Sequence, residues 1–312
     1  MRRLLVASLA LAVLAIPARA QNCAADGITE DACVKARDLF LYMAPQLGTA
    51  ISGGSHTLGV GTTLGGFPHF AIALRANAVM GDLPTIDNVT VGAATVSTIE
   101  SEANPVPMVT ADFALGVFKG VSLGVTRVGG VDLIGGVTFV PKVEDDNTSL
   151  VPQSSTSIGL GARIGLLEQS AVVPGVSFSF MKRNLPVLDF GFATDGGDQF
   201  NIDDFTVNTT SWRLSAQKNL LLFQLGAGIG GDKYDFSTTA TGDVDGATFG
   251  FGAKESMSRT TMYGTLGLNL FLFKAVAEVG QVSGGDLVTY NDFTEPADKN
   301  RLYATVGLRI SF

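Results

Sequence analysis

The feature that most limits what this chain can become is its final stretch. Over residues 302–312, Leu302, Ala304, Val306, Leu308, Ile310 and Phe312 fall on one side of an extended chain, and Tyr303, Thr305, Gly307, Arg309 and Ser311 on the other. That period of two marks a strand with one apolar and one polar face. Composition decides what the apolar face meets. Hydrophobic residues are 46% of the chain, charged residues only 16%, and mean hydropathy is +0.31, where soluble domains carry about 25% charged residues. Past the first twenty positions, no stretch approaches the roughly 20 continuous apolar residues of a membrane helix. Alternating strands facing lipid on one side accommodate such residues, and only a closed barrel satisfies their backbone groups there. The 38 glycines suit a crowded lumen, and the 20 phenylalanines, against one tryptophan, suit interfacial girdles.

The same stretch resembles the C-terminal assembly signal of bacterial outer-membrane β-barrels, which runs polar, any, Gly, any, any, apolar, any, aromatic. Thr305, Gly307, Ile310 and Phe312 fill its specified places. The resemblance implies insertion by the barrel-assembly machinery and outer-membrane lipid as surroundings. On this stretch alone, the edge strand of a secreted β-sandwich is the alternative.

Residues 1–20 read as a cleaved signal peptide: Arg2 and Arg3, an apolar run over 4–16, then Ala18-Arg19-Ala20 as the small-x-small cleavage pattern. Without Arg2, Arg3 and Arg19, the 21 basic residues fall to 18 against 29 acidic ones, and the net charge moves from −8 to −11. So acidic a chain, with no basic cluster, is a poor partner for nucleic acid, whose binding depends on neutralising phosphates. Cys23 and Cys33, the only cysteines, are expected to form one disulfide in an exported chain. Metal binding by the pair is the weaker reading, since no histidine lies near. A helix is expected over residues 30–47, capped by Thr29, with Glu30 and Asp31 in its first turn and Ala32, Ala36, Leu39, Phe40, Met43 and Leu47 as its apolar stripe. Inside a barrel it would either plug the lumen or cap the periplasmic mouth.

Residues 56–64 read as a first strand. Then Phe70, Ile72, Leu74, Ala76 and Ala78 alternate with a set containing Arg75, which lipid would reject. The expectation along the rest of the chain is a series of hairpins. Short turns fall near 65, 119, 168–174, 219 and 272, and long polar connections at 82–106, 143–153, 189–204, 232–256 and 284–299. Short periplasmic turns and long extracellular loops are the habit of outer-membrane barrels. The expected fold is therefore all-β: a transmembrane antiparallel β-barrel of about 12 strands, within a range of about 10–14, with an N-terminal amphipathic helix. Residues 21–54 form the disulfide-tied plug or cap, and 55–312 the barrel.

Arg75, Asp112, Arg163, Arg213, Glu278 and Arg309 fall on the inward set. They admit two readings. One is a basic lining that selects anions or grips a carboxylate. The other, favoured because small barrels commonly fill themselves this way, is internal ion pairing with Asp112 and Glu278 as partners. Catalysis is not expected. His56 and His69 are the only histidines and neither sits in a catalytic motif, and the neighbouring Ser55 would point to the opposite face of a strand. Asp195, Asp198, Asp203 and Asp204, like Asp243 and Asp245, lack the spacing of a twelve-residue calcium loop and read as solvated acidic loops. No cofactor is called for.

Taken whole, a helix ahead of a barrel is similar in architecture to the FadL-type transporters of long-chain fatty acids and other hydrophobic compounds, which carry an N-terminal plug segment. No diagnostic motif of that family stands in the sequence, so no binding residue is carried over. The resemblance implies a passive outer-membrane channel or transporter for small molecules, hydrophobic ones among them. The alternative is a non-transporting barrel acting in adhesion or surface structure through long acidic loops. A soluble periplasmic binding protein is a third.

Overall fold

The computed structural model describes residues 23, 28–54, 56–85, 96–144, 148–193, 199–244 and 246–312. Residues 1–20, expected to be a signal peptide, and Asp195, Asp198 and Asp245 of the expected acidic loops lie outside them. Ten strands, among the described residues, close a ring: β1 (Phe70–Pro84), β2 (Ser101–Phe118), β3 (Gly130–Phe139), β4 (Thr156–Leu167), β5 (Gly175–Asn184), β6 (Gln199–Leu220), β7 (Phe223–Val244), β8 (Ala247–Leu270), β9 (Phe273–Ser283) and β10 (Arg301–Ser311). Each pairs antiparallel with the next in the chain, and β10 returns to β1. The ring thus takes the low end of the expected range. The short strands Val143–Glu144, Thr148–Pro152 and Leu188–Ala193 add to the upper part of β6, outside the ring. Closure leaves no sheet edge in the ring at membrane level, which is what lipid demands of a β-structure.

Alternation sets the two faces. Along β1, Ile72 and Leu74 point out, while Ala71, Ala73, Arg75, Asn77 and Val79 are buried inside. Phe113 and Leu115 on β2, Ile158 and Leu160 on β4, Phe178 and Phe180 on β5, and Leu302, Val306 and Leu308 on β10 continue the outer apolar belt. The ends of the ring are tied at β1 and β10. The Phe70 and Phe312 amides each donate to the other's carbonyl, at 3.0 and 2.9 Å, and their rings stack 5.0 Å apart.

β6, β7 and β8 run 22, 22 and 24 residues, about twice the 9–11 that cross a membrane. The expected polar loop over 232–256 is therefore mostly strand, as is the part of 189–204 that holds Asp203 and Asp204. Their polarity reflects an outer face in water, not an irregular backbone, since Tyr234, Phe236, Ala240 and Phe251 alternate inward. Among the short turns, Leu221-Leu222 joins β6 to β7 and Phe271-Leu272 joins β8 to β9. The long connections at the other end mark the extracellular side.

Helix α1 spans Ile28–Ser52, longer at both ends than expected, so Thr29 lies within its first turn and does not cap it. It includes Pro45, whose missing N–H breaks one i→i−4 bond. It stands inside the ring, where Phe40 packs edge-on to Phe205 at 5.5 Å and Phe205 in turn meets Phe190 at 5.5 Å. The disulfide Cys23–Cys33 closes at its start. The expected first strand over 56–64 is not a strand. Thr57 and Gly59 have positive φ, at 61° and 66°, which an extended strand excludes. This segment follows the helix down the lumen, and the wall begins at Phe70.

Candidate functional site in the barrel lumen

The lumen is a wall of paired charges around a threaded segment. Arg75 donates from Nε to Asp112 Oδ2 at 2.7 Å. Arg163 donates from Nη2 and Nε to Asp132 Oδ2 at 2.6 and 3.0 Å. Arg213 donates from Nη2 to both oxygens of Asp232, at 2.8 and 3.1 Å. Each pair joins neighbouring strands: β1 with β2, β3 with β4, β6 with β7. Higher up, Arg301 meets Asp82 at 2.6 Å. All these groups are buried, where a charge is tolerated only when paired and hydrogen-bonded.

The six inward candidates are all buried, but their expected pairing needs correction. Asp112 does hold Arg75. Arg163 and Arg213 instead use Asp132 and Asp232. Glu278 accepts from the Tyr303 hydroxyl at 3.2 Å. Arg309 lies near the periplasmic end, in register with Lys274 and Ala73, with no partner for its Nε. Asp132, Asp232 and Arg183 were missed. Each had a readable signal, since outward Leu133, Ile229 and Phe180 on their own strands place Asp132, Asp232 and Arg183 inside.

Residues 53–64 thread this wall through polar contacts. Arg75 Nη1 donates to the Gly53 carbonyl at 2.8 Å. Arg213 donates from Nε to the Gly54 carbonyl at 3.2 Å and from Nη2 to that of Ser52 at 3.3 Å. Arg163 Nη1 reaches Thr57 Oγ1 at 2.5 Å, Gln224 Nε2 reaches the Gly59 carbonyl at 2.6 Å, and the Gly61 amide donates to Gln217 Oε1. The Leu64 amide lies 3.1 Å from both Asp132 oxygens. His56 bridges Ser179 (2.8 Å from Nδ1) and Ser211 (2.7 Å from Nε2). Ser211 gives its own proton to the Met181 carbonyl, so Nε2–H donates to Ser211 and Nδ1 accepts from Ser179. At the periplasmic foot, Thr63 donates to Glu168 at 3.2 Å, and burial pushes that carboxyl above its ordinary range.

Above, the helix is clamped to β1 by Gln46, whose Nε2 donates to the Asp82 carbonyl and whose Oε1 accepts the Asp82 amide, both at 2.9 Å. The loop after β9 straps it from outside: Asp38 accepts from the amide and side chain of Asn291, and Tyr42 stacks on Phe293 at 4.1 Å. Two small cavities, beside Gly61 and beside Thr57, hold about 10 Å³ each, room for one water. Among the described residues, no group of three or more metal-ligating side chains converges.

A closed ten-stranded ring with an apolar outer belt defines an outer-membrane β-barrel, here one with its own N-terminal segment in the lumen. No described protein family matches the sequence, and no curated protein does. Among solved structures the chain is similar to the outer-membrane protease OmpT from Escherichia coli, at 10% identity and TM-score 0.42, over 78% of this chain and 96% of that one. It is also similar to a deltaS2S3 mutant of the monoaromatic hydrocarbon channel TodX (9%, 0.34, 85% and 97%) and to the Ralstonia pickettii toluene transporter TbuX (9%, 0.26, 85% and 97%). The assignment rests on ring closure and the outer belt.

Proposed function

We propose that the chain is a gated outer-membrane channel for small molecules, without catalytic chemistry, and that residues 28–64 are its removable plug. One observation carries the reading. The wall satisfies these carboxylates itself: Asp112, Asp132 and Asp232 pair with arginines of neighbouring strands, so withdrawing the plug strands none of the three. A core meant to be permanent has no need of wall carboxylates paired without it. The length of β6–β8 beyond the membrane favours a second reading, a non-transporting barrel acting at the cell surface.

Planar-bilayer conductance of the refolded mature protein tests the choice, against a variant lacking residues 23–64. The expected result is a closed intact protein and a conducting variant. Two barrels that both migrate as folded and both pass no current would overturn the channel reading in favour of the second.

A further inference from the structure

We infer that the solute of this channel is a small anion, carboxylates among them, and that the wall arginines bind it along the lumen. The inference rests on the channel reading and names its substrate class.

Charge is the first support. Among the buried residues of the ten strands there are seven arginines against five carboxylates: Asp82, Asp112, Asp132, Asp232 and Glu278. The whole chain carries −8. The interior is thus positive in an acidic protein, and low-dielectric walls focus such a field on whatever enters.

The plug supplies the second. It meets the arginines through oxygen atoms: the carbonyls of Ser52, Gly53 and Gly54, and the Thr57 hydroxyl. These oxygens occupy the places that the oxygens of an anion would take. When the plug leaves, the donors of Arg75, Arg163 and Arg213 that served it become free, while the pairs within the wall stay.

Arg183 is the third. It is 2% exposed, and among the described residues its Nε, Nη1 and Nη2 have no hydrogen-bond partner. Its one ionic neighbour among the described residues is Asp112, at 3.5 Å, which Arg75 already holds. Two guanidiniums on one carboxylate leave a positive charge uncompensated. Its side chain lies across the glycine face of β4, where a Cβ on Gly159 would stand 2.4 Å from Arg183 Cγ; Asp112 lies likewise over Gly136 of β3, whose Cβ would stand 2.7 Å from Oδ1. A planar guanidinium with unmet donors is suited to bidentate carboxylate binding.

The test is the reversal potential of open channels in a potassium chloride gradient, repeated with potassium acetate. Two forms are used: the variant lacking 23–64, and the full-length Gly61→Leu protein, in which a Cβ at 61 would stand 2.5 Å from Gln217 Cβ and drive the segment from its seat. Full-length G61L carries the measurement if the deletion does not fold. Expected is a preference for chloride and acetate over potassium of roughly 3-fold or more, reduced when Arg183→Gln is added. Open channels that prefer potassium, or prefer neither ion, overturn the inference and leave the channel reading standing. Folded barrels of both forms that carry no current overturn the channel reading, and this inference with it.

Discussion

Asp132→Ala is the sharpest probe of the wall. Asp132 is fully buried and accepts four contacts: two from Arg163 and two from the Leu64 amide. Removing it strands the Arg163 guanidinium, whose Nη1 keeps only Thr57. Breaking a buried pair from one side costs about 3–5 kcal/mol, and the lost acceptor for Leu64 adds about 1 kcal/mol. The double variant Asp132→Leu with Arg163→Met removes the stranded charge. It should recover most of that cost, leaving about 1–2 kcal/mol for the Leu64 and Thr57 contacts. Urea unfolding of the protein refolded in lipid vesicles, followed by the loss of heat-modifiable gel migration, compares the parent, Asp132→Ala and the double variant. The reasoning fails if the double variant is no more stable than Asp132→Ala. The arginine would then not depend on this carboxylate, and the wall would not be self-paired.

Other consequences are open to direct measurement. Gly307→Leu should lower the yield of folded barrel and its stability by about 1–3 kcal/mol, since a Cβ there would stand 2.5 Å from the Leu74 carbonyl and 2.6 Å from Leu58 Cδ2; the folded fraction on unheated gels checks it. Trp212, the only tryptophan, is 40% exposed on the outer face, so brominated acyl chains should quench its emission and aqueous iodide should not. Replacing Cys23 and Cys33 by serine should destabilise the helix by about 2–3 kcal/mol, from the short loop the bond closes, while the circular dichroism of the ring stays unchanged; proteolysis within residues 28–52, measured against the parent, reads the difference.

Much of the wall was legible because alternation is a local property. Ile72 and Leu74 could only face one way if Arg75 was to avoid lipid, and the same logic placed Asp112, Arg163 and Arg213 inside. What escaped was long-range or disguised. Arg163 finds Asp132 because β3 and β4 pair in one particular register, Asp132 opposite Arg163, and pairing register is not written in either strand alone. The upper halves of β6–β8 read as loops because their outer face meets water, so polar residues stood where a membrane strand would show leucine. Residues 56–64 read as a strand from their mixed composition. The positive φ of Thr57 and Gly59 belongs to a chain folded against Gln217, Gln224 and Arg163, none of them near in sequence.

The two halves of the plug are held by different physics. Around α1, Phe40, Phe205, Phe236 and Phe251 are buried against one another and the helix, and each such side chain contributes about 1.5–3 kcal/mol by leaving water. From Gly53 onward hydrogen bonds with Arg75, Arg163, Arg213, Gln217, Gln224 and Asp132 carry more of the hold, each worth about 1 kcal/mol net, beside a smaller apolar share from Leu58, Val60 and Leu64. Gly54, at φ 92°, sits where one regime passes to the other. An apolar anchor resists water, while a polar seat exchanges with it at little cost. A barrel built to be solid would carry the apolar packing through the membrane. This one thins it below Ser52, where Leu58, Val60 and Leu64 stand among the arginines.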